Sequence, residues 1–142
     1  MGVSDMALNK AYNQYKENSI FTSSPEELTL MLYNGLVRFI LQAEAHLDES
    51  DLSRASNSII RAQDIVIYFR STLDMKYGVS QGLDSMYDYM YRRLIEANIN
   101  KDKDILTEIL GYAKELRDTW TQAMKLAKQQ AKQPMPLPQV VK

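Results

Sequence analysis

At 142 residues, 45% hydrophobic and 25% charged, the chain has the makeup of one globular domain with a single sizeable core. A formal net charge of −1 offers no bulk pull towards nucleic acid or anionic lipid, and the absence of cysteine excludes disulfides, thiolate chemistry and cysteine-held metals. No apolar run reaches signal-peptide length or the ~20 residues that span a bilayer, so the expectation is a cytoplasmic protein without membrane insertion.

In chain order, the first pattern is Leu8, Ala11, Tyr12 and Tyr15, which has helical spacing. The segment is short, and isolated helices of that length are marginal in water. Residues 18–23 read as a connector. Ser24-Pro25-Glu26-Glu27 then predicts a helix start: Ser24 can cap, Pro25 suits the first helical position, and Glu27 can close a capping box. The helix is expected to end near Asp48, with Leu28, Met31, Leu32, Gly35, Phe39, Ala43 and Leu47 on its inner face.

A second helix is predicted from about Asp51. Leu52, Ala55, Ile59, Ala62, Val66, Phe69 and Leu73 alternate spacings of three and four, which is a heptad seam. Residues 74–82, with two glycines, read as a loop. A third helix carries Leu83, Met86, Tyr87, Met90, Tyr91, Leu94 and Ala97. Residues 98–104 read as a polar turn with a cap. The fourth helix has a second seam, Leu106, Ile109, Ala113, Leu116, Trp120, Ala123 and Ala127.

No acidic residue follows Asp118, whereas Lys125, Lys128 and Lys132 do, which suits the negative end of a helix. Pro134, Pro136 and Pro138 forbid further helix. The expected organisation is one helical domain over residues 1–133 and a flexible Pro-rich tail over 134–142. Four long amphipathic helices with short connections predict an all-α fold, an antiparallel four-helix bundle. The short N-terminal helix is a fifth element and is expected outside the core, over a groove.

Residue types argue against catalysis. Di-iron bundles need Glu-x-x-His pairs; the lone histidine, His46, has Ala43 three residues before it. Glu26/Glu27 and Asp102/Asp104 sit at predicted helix starts, where caps and the dipole account for them. No phosphate-binding glycine loop is present. No catalytic residue, cofactor or metal ligand is therefore expected.

The aromatics say more. Nine tyrosines against three phenylalanines favour adaptable protein contacts. The run Met86-Tyr87-Asp88-Tyr89-Met90-Tyr91 puts rings and thioethers around most of one helix, more than a four-helix core can bury. Most of these tyrosines are expected at the core edge with their hydroxyls in water. The remaining apolar surface is expected to be covered by the N-terminal helix, a second copy of the chain, or a partner.

Three separated stretches carry a resemblance. Ala11-Tyr12 and Tyr15, then Asn18-Ser19 and the run from Thr22 to Gly35, form the first. Met86 to Leu94 with Glu96-Ala97-Asn98 forms the second, and Arg117-Asp118-Thr119-Trp120 the third. Taken together, and in that order, they are similar to the flagellin export chaperone family, FliS, over about residues 6–128. The Pro-rich tail departs from that pattern. The resemblance implies a cytoplasmic chaperone that binds the disordered C-terminal segment of flagellin and prevents premature polymerisation. It also implies delivery to the flagellar export gate protein, in a one-to-one complex. In that reading Leu8, Tyr12 and Tyr15 form a displaceable cover. Tyr87, Tyr91, Trp120 and Met124 are the expected groove edge beneath cover or client, and Tyr12 is a candidate contact to the gate. Two other classes remain open to test. One is an oligomerisation bundle whose seams pair chains; the other is a small-molecule or metal enzyme on a bundle scaffold.

Overall fold

The computed structural model describes residues 23–131. Among these there are four helices: α1 (Pro25–Asp48), α2 (Leu52–Thr72), α3 (Gly78–Asn100) and α4 (Lys103–Gln130). The candidate cover residues Leu8, Tyr12 and Tyr15, the expected N-terminal helix and the tail at 134–142 lie outside the described residues.

Local chemistry sets the helix ends. The Ser24 hydroxyl accepts from the Glu27 amide at 3.2 Å with Pro25 in the first turn, as the sequence predicts. Asp51 caps α2 through Arg54 N–H at 3.1 Å, and Asp102 caps α4 through Asp104 N–H at 2.9 Å. The connections after α1 and α3 are very short, residues 49–51 and 101–102. Each contains a non-glycine residue in the left-handed region, Ser50 at φ 59° and Lys101 at φ 50°. Those turns return carbonyls to use: the amide of Asp51 donates to His46 O at 2.8 Å, and that of Asp102 to Ala97 O at 3.1 Å. Lys101 Nζ donates to Asn98 O and Oδ1, which further ties down its own turn.

Short connections force antiparallel neighbours. Each helix packs against its two neighbours round the bundle, α1 on α2 and α4, and α3 on α2 and α4. The core runs along the axis. Ala43 and Ala97 with Ile40, Ile59, Leu94 and Leu106 fill the half near the α1–α2 and α3–α4 turns, where Ala55 is also buried. Nearer the other end, Tyr33, Phe69 and Tyr87 stack from three helices, with centroids 4.4 and 5.6 Å apart.

Three expectations change. α3 begins at Gly78, inside the predicted loop, because the buried Ser80 hydroxyl donates to Asp74 O and anchors the first turn. The inner face of α1 is Tyr33, Gly35, Leu36, Val37, Ile40 and Ala43, of which Gly35 and Ala43 were expected. Leu32, Phe39 and Leu47 pack only at its margin, and Met31 faces outwards. Leu52, placed on the α2 seam, is exposed, while Ala55 to Leu73 follow that seam as expected.

Candidate interaction surface

Helix length creates the candidate site. α4 has 28 residues against 21 to 24 in the others, roughly 42 Å against 32–36 Å at ~1.5 Å per residue. Its N-terminus is fixed level with the end of α1: Lys103 Nζ meets Asp48 Oδ1 at 2.8 Å, and Thr107 donates to Glu44 at 3.0 Å. At the opposite end the Trp120 indole N–H donates to the backbone carbonyl of Glu26 at 2.9 Å, in the first turn of α1. The helix continues for ten further residues, 121–130, and being four residues longer than α1 it extends roughly 6 Å past the point where α1 begins.

Burial follows this geometry. Ile105, Leu106, Ile109, Leu110 and Ala113 are buried, and no residue of α4 beyond Ala113 is. The seam nevertheless continues, through Leu116, Trp120, Ala123, Met124 and Ala127, all half-buried. Leu126 is 50% exposed beside it. The same end of the bundle holds the α2–α3 connection and the first turn of α3, where Met75 is 55% and Val79 60% exposed. The apolar stripe thus continues along α4 towards the end of the bundle that also carries these exposed apolar side chains.

Of the site residues expected from the sequence, the structure brings Trp120 and Met124 together, one turn apart on this stripe. Tyr91 is half-buried and lies higher. Its neighbour Tyr89 reaches Glu108 and Tyr112 of α4, and Trp120 is eight residues further on, roughly 12 Å. Tyr87 lies in the core, not at a groove edge. Its ring stacks on Phe69 and its hydroxyl meets that of Tyr33 at 2.7 Å. Burial pushes both phenols above their ordinary value of 10.0, since a phenolate there would lose its water. The expectation that tyrosine hydroxyls reach water fails for this pair because each satisfies the other.

Sequence reading missed a polar seam between α3 and α4. Tyr89 OH donates to Glu108 at 2.7 Å, and Arg93 links Glu108 to Glu96 at 3.3 and 2.6 Å. The bond to Glu108 raises the Tyr89 phenol above its ordinary value. The partners are 15 to 19 residues apart, so no local pattern announces them. Across α2 and α3, Arg70 similarly joins Asp84 and Asp88 at 2.9 and 2.8 Å. These exposed pairs set register more than stability. Among the described residues no group of three or more His, Asp or Glu could hold a metal ion, and no helix is long and apolar enough to cross a membrane.

Comparison with known proteins fixes the family. The model of the flagellar protein FliS matches residues 8–127. The chain belongs to the FliS family. The flagellar secretion chaperone FliS of Bacillus subtilis is 43% identical over 119 residues, covering 84% of this chain and 90% of that protein. The FliS chaperone of Campylobacter jejuni is 31% identical, over 81% and 91% of the two chains. That of Salmonella typhimurium is 29% identical, over 80% and 87%. The FliS family is one of flagellar secretion chaperones, which is not an enzyme class, and the projecting part of α4 up to Ala127 falls inside the matched region.

Proposed function

We propose that this chain binds the disordered C-terminal segment of flagellin in the cytoplasm, prevents its premature polymerisation, and delivers it to the export gate protein of the flagellar type III apparatus. It acts as a monomer holding one client and carries out no reaction. The observation that carries this reading is family membership over most of the chain, among relatives named as flagellar secretion chaperones.

The physics of the site supports it. A disordered client that folds on its chaperone can cover on the order of 1,000–3,000 Å² while giving back a few kcal/mol in ordering. An amphipathic segment needs an apolar stripe to lie on, and the half-buried run from Leu116 to Ala127 offers one. Leu8, Tyr12 and Tyr15 act as a displaceable cover that competes with the client, with Tyr12 free to meet the export gate once released. Tyr91, Trp120 and Met124 serve as groove-edge residues.

Calorimetric titration of a flagellin C-terminal peptide tests both parts. The full chain should bind it one to one. A variant beginning at Asn18 should bind more tightly, because apparent affinity is reduced by the fraction of time a cover is docked. Weaker binding with the fold intact would remove the cover from the mechanism.

A further inference from the structure

One edge of α4 faces α3 and runs on after α3 has ended. Glu108 and Tyr112 meet Tyr89 of α3, and the same edge continues at intervals of three and four through Glu115, Thr119, Ala123 and Leu126. Tyr89 and Arg93 both bond Glu108, which puts about residue 91 of α3 level with residue 108. The antiparallel run then places Gly78, the first residue of α3, level with about residue 121. Leu126 stands five residues beyond that point, roughly 7 Å, on the side that α3 no longer covers, and it is exposed. Val79 repeats at intervals of seven with Met86 and Arg93, which sets it on the α4-facing side of α3, and it too is exposed. Ala123, Leu126 and Val79 thus line one corner between two helices, and Met75 is exposed in the connection that enters it.

We propose that the chain's own C-terminal segment, residues 132–142, folds back over this corner as an apolar strap. Between Lys132 and Lys142 the segment carries no charged side chain, and from Pro134 to Val141 its one polar side chain is Gln139. Segments that stay free in water are poor in apolar residues and rich in charge; this one is the reverse. Pro134, Pro136 and Pro138 hold it extended beforehand, so docking costs little chain entropy. The reach also fits. Six residues from Ala131 to Leu137 span about 19 Å at ~3.1 Å each, and the level of Val79 lies about eleven residues of α4, roughly 16 Å, back from Ala131. The strap takes from water a surface that would otherwise favour pairing between copies of the chain. It stands apart from the identity of the client.

The chain contains no cysteine, so an introduced pair reports one contact in the full-length protein. The test compares V79C/L137C with E27C/L137C, each oxidised by a glutathione buffer at low protein concentration. Glu27 is exposed in the first turn of α1, level with Trp120, so the two partner sites stand about equally far from the end of α4. A docked strap should close the V79C/L137C disulfide at least about tenfold faster than the E27C/L137C one, within single chains. Adding L126D to V79C/L137C should bring its rate down to that of the control pair, with circular dichroism confirming that every variant stays helical. Equal rates for the two pairs would mean a tail that samples both flanks of α4 alike, and would overturn the proposal. A fast link that joins two chains also overturns it, because the occupant is then the tail of a second copy.

Discussion

The two ends of this bundle are built on opposite principles. At one end, α1–α2 and α3–α4 close through three and two residues. Caps from Asp51 and Asp102 and left-handed Ser50 and Lys101 satisfy the backbone there, and alanines fill the core beneath. At the other end, three rings replace the alanines, Met75 of the 73–77 connection and Val79 in the first turn of α3 are bare, and α4 is the longest helix. A family that must fold by itself and also present apolar surface to a client can separate the tasks along the bundle axis. One end completes its own hydrogen bonds and packing; the other carries its apolar seam outwards.

The largest way to break this comparison is to remove the ring that joins the other two. Phe69→Ala deletes the middle of the stack and should cost about 3–5 kcal/mol in urea unfolding. If the rings were only filling space at a loosely held end, the loss would be under about 1 kcal/mol. Alkali probes the same layer. Tyr33 and Tyr87 both have folded-state pKa values above 10.0, so their contribution is fully present below pH 10 and is lost as pH rises past it. Stability should fall as pH rises above that point, by at most about 1.4 kcal/mol per pH unit for each phenol still protonated in the folded state. The Tyr33→Phe/Tyr87→Phe double variant should flatten the slope; an unchanged slope would place the alkaline sensitivity elsewhere. Smallest is the closed end. Asp102→Ala removes the cap of α4 and should cost about 1 kcal/mol in stability. Peptide affinity should stay unchanged, and a parallel loss of affinity would show that the two ends are coupled.

Parts of this design were legible in the sequence and parts were not, for identifiable reasons. α2 was read correctly from Ala55 to Leu73 because its polar and apolar residues alternate cleanly at heptad spacing. α1 was read only in part, with Gly35 and Ala43 placed correctly, because it is apolar nearly all round: Leu30, Met31, Leu32, Tyr33, Leu36, Val37, Phe39, Ile40 and Leu41 support more than one stripe, and only packing against α2 and α4 selects among them. The start of α3 was hidden by Gly78 and Gly82, whose intrinsic cost in a helix is about 1 kcal/mol each. The bond from Ser80 to Asp74 that offsets it spans a turn no periodicity reports. Of the candidate residues, Trp120 was visible as the continuation of a seam, and Met124 stands one turn after it. Tyr87 was misplaced because its hydroxyl partner, Tyr33, lies 54 residues away in another helix.

The Trp120–Glu26 contact gives the protein a built-in optical gauge. It is the chain's one tryptophan, and it sits at the boundary where α4 parts from α1, half-buried and with its indole N–H on a backbone carbonyl. Loss of the fold exposes the ring to water, whereas a segment laid along α4 beyond it takes water away. The two events move its emission in opposite directions, so a single unlabelled fluorescence measurement separates unfolding from occupancy.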